Sequence, residues 1–406
     1  MRNFIRSAVV LLAFCSLAGV ASLAAPDPVR PGIEVLLSAP LPAALQGKRV
    51  GLITNHTGID RNHETTIDRL HRAEGLRLVA LFAPEHGIRG TAADGDIISS
   101  TRDERTGLPI HSIYGATQKP TPAMLEGIDA LIFDIQDVGA RQYTYIWSMY
   151  YAMEAAAERK IPFVVLDRPN PVGGTVVEGN ILDPAFSTFV GLKPIPIRYG
   201  LTIGELARFC NKEFKVGADL TVIPMAGWRR DQYFDALGFP WVNPSPNLRR
   251  FETTLHYPGT VLIEGTNLTE GRGTDLPFEH TGAPWLDAPA VAAEMNGMRL
   301  PGVRFEAVTI PVRADGRKFP GQTIPGVRLI VTDRDAYRPV RVTLLLIDAV
   351  RRRHPDRFEW GPSIDRLSGT DRVRAAIEKG TLRALLEEWD RDAARFKEMR
   401  RPYLLY

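Results

Sequence analysis

Cysteine is almost missing from this sequence: 406 residues include two, Cys15 and Cys210. Cys15 falls in a segment that reads as a removable leader, and a single remaining cysteine makes no intrachain disulfide. Cys210 lies in the helical pattern ELARFCNKEF, where a thiol packs as a small apolar group far more often than it serves as a nucleophile. Stability therefore has to come from packing. No GxGxxG follows the first apolar strand, which argues against a bound dinucleotide. No GxSxG elbow supports a serine hydrolase, and no HExxH or clustered Cys/His spacing supports a metal centre. Neither sign of charge dominates: 50 Lys and Arg against 47 Asp and Glu leave a formal charge of +3. That balance favours neither nucleic acid nor an acidic membrane as partner. Internal repeats, low-complexity tracts and sustained heptads are also lacking.

The long apolar run is at the very start. MRNFIRSAVVLLAFCSLAGVASLAAPDP sets Arg2 and Arg6 before an apolar stretch, with small residues ahead of Pro26. This is the layout of a secretory signal peptide, and it is too short and badly flanked for a membrane span. Residues 1–25 are expected to be removed and the mature chain exported, to the periplasm or out of the cell, with no membrane segment left. A lipoprotein signal at LAFC is the weaker reading, because bulky Phe14 stands where a small residue is wanted.

The remaining residues, roughly 380, suggest two domains, and a hydrophobic content of 44% is ample for their cores. Over residues 26–245, short Val/Ile/Leu-rich runs alternate with helical patterns. The runs are KRVGLITN (48–55), LRLVALFA (76–83), DALIFDIQ (129–136), IPFVVLDR (161–168) and DLTVIPM (219–225); TIDRLHRAEG (66–75) and IWSMYYAMEAAAERK (146–160) are the clearest helices. Such alternation predicts an α/β fold, a Rossmann-like parallel sheet with helices on both faces. At NPSPNL the texture changes. Residues 246–406 read as a smaller α+β domain, with strands expected at TVLIEGTN (260–267), VRFEAVTIPV (303–312) and VRLIVTD (327–333), and helices at 288–298, 338–354 and 380–400.

In an open α/β sheet, ligands bind beyond the carboxyl ends of the strands. Those ends carry Asn55 and His56, Glu85 and His86, then Asp137, Arg141, Tyr143 and Tyr145, and finally Arg168 and Asn170. Singly, each is most simply a cap or turn residue; four polar strand ends converging on one rim is harder to explain that way. His56, His86 and nearby aspartates are of the type that holds an ion, but their spacing does not support one, and neither metal nor cofactor is expected. Carboxylates with aromatic and amide neighbours suit sugar binding and glycosidic cleavage. A carboxyl at the end of an apolar strand is partly desolvated, which favours a proton donor. A Gly-rich loop, IEGTNLTEGRGTDLPFEHTGAPW (263–285), adds Glu264, Asn267 and Arg272, and RPNPVGGTVVEGNIL (168–182) adds Glu178 on a short strand. The residues alone point to sugar chemistry without fixing the sugar, with a metal-assisted reaction as the weaker reading.

Six stretches in order, ITNHTG, FAPEHGIRG, FDIQDVGARQYTY, LDRPNPVGG, VEGN and EGTNLTEGRGTDLPFE, resemble the NamZ-type exo-β-N-acetylmuramidases, long catalogued as a bacterial domain of unknown function. The resemblance runs from about Val35 to the C-terminus. It implies release of N-acetylmuramic acid from the non-reducing ends of peptidoglycan fragments, in a cleft between a Rossmann-like domain and a smaller C-terminal one. It places the catalytic glutamate in PEHG, hence Glu85, and Glu178 of VEGN as a second acidic residue. The substrate is then a peptidoglycan-derived sugar or muropeptide, and the alternatives are a non-catalytic periplasmic muropeptide-binding protein and a metal-dependent cell-wall hydrolase or amidase. Muramic acid carries a lactyl carboxylate, which an arginine matches bidentately; Arg141 and Arg272, then Arg168, are the expected partners. His86 is expected to touch the sugar or tune Glu85. Asn55, Asn170 and Asn267 suit hydroxyl and acetamido groups, and Tyr143 and Tyr145 a sugar ring. His56, Asp137 and Glu264 complete the expected contacts.

Overall fold

The computed structural model describes residues 28–90 and 101–406. The expected signal peptide, Cys15 included, lies outside the described residues. The strands are β1 (Arg49–Thr54), β2 (Arg77–Ala83), β3 (Thr101–Arg102), β4 (Pro109–Ser112), β5 (Ala130–Asp134), β6 (Phe163–Leu166), β7 (Glu178–Ile181), β8 (Pro196–Arg198), β9 (Leu220–Ile223), β10 (His280–Gly282), β11 (Val303–Pro311) and β12 (Thr323–Val331). Seven of them form one sheet in the order β3-β4-β2-β1-β5-β6-β9. Every pairing in it is parallel except β3 with β4 at the edge.

Alternation along the central strands assigns the two faces. Ala130 and Ile132 of β5, with Val50 and Leu52 of β1, pack with Ile33, Leu36, Ile67 and Leu70. Leu131 and Phe133 face the other way, onto the helices Tyr145–Arg159 and Ile203–Glu213. Both faces are thus covered, as near-continuous apolar strands require. The strands being parallel, β1, β2, β5 and β6 end on the same rim.

The smaller C-terminal domain holds an antiparallel sheet, β10-β12-β11. The helix Ala288–Gly297 packs on β11 and β12, Pro339–Arg353 packs against it and against Phe251–Thr260, and Leu382–Met399 returns to pack against β7. One expected strand is not a strand. In TVLIEGTN, Val261–Gly265 is a 3₁₀ turn that continues the helix Phe251–Thr260. A short apolar run fits a buried helix as well as a strand, and Gly259 lets this helix approach the backbone at Pro339 closely. β4 and β10, four and three residues long, carry no period of their own. Glu178 does begin a strand, but β7 pairs only with β8, in a two-stranded sheet apart from the main one.

Candidate active site

β2 runs to Ala83 and the chain then turns sharply, with the Gly87 amide donating to the Pro84 carbonyl at 3.0 Å. His86 and Gly87 are both left-handed, at φ 68° and 74°. A glycine adopts that conformation freely, whereas His86 is held there at a cost of about 1–3 kcal/mol, the kind of local strain that collects at functional sites. The turn sets Glu85 in the wall of a cavity of about 330 Å³ between the end of the parallel sheet and the C-terminal domain.

Both oxygens of Glu85 are engaged. Tyr114, just beyond β4, donates its hydroxyl to Oε1 at 2.8 Å, and Thr144 donates to Oε2 at 2.5 Å. Thr144 occupies the N-cap of the helix Tyr145–Arg159, yet its hydroxyl caps nothing there; it serves the carboxylate instead. An aromatic chain connects the two walls. Tyr145 packs edge-on to His86 at 6.4 Å and to Tyr143 at 4.9 Å, Tyr143 to Tyr257 at 5.8 Å, and Tyr257 to Phe278 at 5.0 Å. The Arg272 guanidinium lies 4.8 Å over the Phe278 ring. It also binds Glu264 at 2.5 Å and Glu270 at 3.0 Å. Burial pushes the Glu270 carboxyl up, but Arg272 and Lys318 outweigh it and hold it below its ordinary value.

Of the residues expected at the site, Glu85, His86, Tyr143, Glu264 and Arg272 line this cavity. Tyr145 lies directly behind, with its hydroxyl on the Pro244 carbonyl at 2.7 Å. The others are used elsewhere. Arg141 is wholly buried and donates to the carbonyls of Asn180, Ile195 and Ser368 at 2.8, 2.9 and 2.6 Å. Burial lowers its guanidinium to about 9, still charged at neutral pH, so it acts as a cationic staple and does not line the cavity. Arg168 forms a buried pair with Asp134. The crevice it borders, near Thr57 and Gln136, holds about 20 Å³, room for a water and not for a sugar.

Asn55 folds back on the amide and hydroxyl of Thr57, and Asn170 holds the Leu201 carbonyl and the Val172 amide. Asp137 accepts from Tyr199 and the Gly139 amide, with burial pushing its carboxyl up to about 6. His56 contacts the Asn243 carbonyl and packs over Gly90; burial, with a further push from His86, lowers its imidazole. Asn267 donates to the Arg357 carbonyl. Glu178 sits in the core, its Oε1 accepting the Arg341 amide at 2.8 Å, and burial raises it to about 7. These six are turn, cap and core residues, because polar side chains near strand ends and turns are drawn first to the nearby backbone.

The cavity also contains residues that sequence reasoning passed over: Tyr114, Gln142, Thr144, Ser245, Arg317 and Arg366. Thr144 and Gln142 stand inside a stretch already singled out, RQYTY, beside residues chosen for their charge or rings. Arg366 has no local signal, being one of many arginines in a helical segment. Among the described residues no three His, Cys, Asp or Glu side chains come together as a metal ion would need.

Two family descriptions cover nearly the whole chain: "Exo-beta-N-acetylmuramidase NamZ, N-terminal" over residues 50–252 and "Exo-beta-N-acetylmuramidase NamZ, C-terminal" over 255–406. A Bacillus subtilis (strain 168) protein named peptidoglycan beta-N-acetylmuramidase NamZ is 47% identical over 381 residues, spanning 93% of this chain and 91% of its own. Two crystal structures of DUF1343 family proteins from Bacteroides fragilis NCTC 9343 share the fold. One superposes with a TM-score of 0.86 at 36% identity, the other with 0.71 at 35%; each covers 93% of this chain and 99% of its own.

Proposed function

The chain belongs to the NamZ family of exo-β-N-acetylmuramidases, and from that we infer that it is an exo-acting glycoside hydrolase releasing N-acetylmuramic acid from the non-reducing ends of peptidoglycan fragments. The observation that carries this reading to the residues is the setting of Glu85. It is the carboxyl that the end of a core strand delivers into the cavity, held from both sides by hydroxyls. Cleavage of a glycosidic bond needs a proton delivered to the leaving oxygen. We assign that delivery to Glu85. Its partners suit both states of the cycle, because a hydroxyl donates to a carboxylate and turns to accept from a carboxylic acid. Held on the ends of two separate elements, the carboxyl keeps its position while its proton comes and goes.

Glu264 is our choice for the second acidic residue in place of Glu178: it lines the same cavity and is fixed by Arg272, whereas Glu178 is 6% exposed and bound to backbone. The aromatic chain from Tyr145 to Phe278 supplies apolar wall for a pyranose ring. The leader pattern of residues 1–25 supports export as part of this proposal, a point read from the N-terminus of the mature protein.

The test is turnover of a chromogenic β-glycoside of N-acetylmuramic acid. Glu85→Gln keeps the hydrogen-bonding shape and loses the proton, and it is expected to fold normally and to lose about 10²–10⁴ in kcat. Near-normal turnover by that variant removes Glu85 from the role.

A further inference from the structure

Muramic acid is set apart from N-acetylglucosamine by its lactyl ether, which ends in a carboxylate. A site that selects for it needs a cation able to reach the ligand, and the arginines marked out by the motifs do not provide one. Arg141 and Arg168 are interior. Arg272 is already bound by Glu264 and Glu270, so a third carboxylate meets a guanidinium whose charge is spent.

Arg366 is different. It lines the cavity with its side chain exposed, and among the described residues it makes no hydrogen bond and no ion pair. Its neighbour Asp365 is taken by Arg374, at 2.8 and 2.5 Å. Its backbone, by contrast, is fixed. The short helix Ile364–Ser368 is tied to the sheet side by Gln142, which donates to the Leu367 carbonyl at 2.9 Å, and by Arg141, which donates to that of Ser368 at 2.6 Å. It is tied to the opposite wall where Ser363 donates to the Glu264 carbonyl at 3.2 Å and Gly265 packs on Ile364. A free guanidinium on an anchored backbone is suited to reading a carboxylate, since little besides the side chain has to be ordered on binding.

We propose that Arg366 is the specificity-determining residue of the cleft, receiving the lactyl carboxylate in a bidentate pair. The proposal rests on the muramidase reading and gives Arg141 a part in it, as the positioning residue that holds the helix carrying Arg366.

The experiment compares kcat/KM on two 4-nitrophenyl β-glycosides, of N-acetylmuramic acid and of its neutral lactyl amide, for the wild type, Arg366→Ala, Arg366→Lys and Arg317→Ala. The wild type is expected to prefer the acid. In Arg366→Ala the ratio of acid to amide falls about ten- to hundredfold, the worth of a charge-assisted hydrogen bond, and Arg366→Lys falls between, having charge without the fork. An unchanged ratio in Arg366→Ala, or a fall confined to Arg317→Ala, overturns the assignment while leaving the enzyme a muramidase. A wild type that cleaves neither glycoside overturns the muramidase reading and this proposal with it.

Discussion

At the scale of single residues, the chain divides its charged groups between two environments. Arg141, Arg168, Asp137 and Glu178 are buried against backbone or a polar partner in the interior, and Glu85, Glu264, Arg272 and Arg366 border the cavity. Glu178 shows the cost of the first environment. Burial raises its carboxyl from 4.5 to about 7, so the folded protein keeps a proton that the unfolded chain gives up. That contribution to stability is fully present below about pH 4.5 and is lost as pH rises through 7. Glu178→Gln, always neutral and still able to accept from the Arg341 amide, should therefore gain on the wild type between pH 4.5 and 8, by at most about 3 kcal/mol. Denaturant unfolding of both proteins at the two pH values measures the difference; a constant difference would contradict it. A carboxylate followed by an imidazole after a core strand was readable from the sequence as a feature of the strand-end rim, and Glu85 and His86 do line the cavity there. Glu178 and Arg141 were not readable as core residues, because a motif shows which side chains lie near the ligand-binding rim without showing which way each one points.

At the scale of elements, helices and central strands follow from their periods and caps. The helix Ile203–Glu213 opens on a full capping box of Thr202 and Glu205, in which each side chain bonds the other's backbone. The helix Phe251–Thr260 depends on something no local pattern encodes. A Cβ added at Gly259 would lie 2.0 Å from the Pro339 carbonyl oxygen, so the two helices meet backbone to backbone. In isolation, Gly259→Ala would favour the helix by about 1 kcal/mol. Here overpacking, about 1–3 kcal/mol and more where backbone must move, is expected to win and to lower the melting temperature by several degrees. A melting temperature at or above that of the wild type would mean that the helices part freely. The same packing accounts for TVLIEGTN: an apolar run clamped beside a close helix pair continues as a helical turn instead of pairing as a strand.

At the scale of the molecule, the two larger sheets share one apolar core and are expected to unfold together. The largest apolar cluster runs from Leu131 and Phe163 of the parallel sheet to Val342, Leu386 and Trp389 near the C-terminus. The end of the chain returns to the first domain, where buried Arg400 donates to the Gly174 and Tyr199 carbonyls at 2.8 and 3.1 Å and Tyr406 donates to Asp167 at 2.8 Å. Calorimetry of a protein spanning residues 26–406 should show one transition, and deleting residues 400–406 should shift all of it downward, because the removed contacts tie the end of the chain to the first domain. Two resolved transitions, only one of them moved by the deletion, would mean that the domains unfold separately.

Local pattern by itself determined the parallel α/β sheet, most helices, the family and the carboxylate at the end of β2, because period, capping and short motifs depend on neighbours in sequence. Only the tertiary structure decided that Tyr114 and Thr144 hold Glu85, that Arg141 is a staple, and that Arg366 is the arginine left to the cavity. Each of those depends on segments far apart in the chain, 225 and 227 residues apart where Gln142 and Arg141 fix the helix of Arg366. Which polar groups remain for a ligand is settled only after folding has satisfied the buried ones.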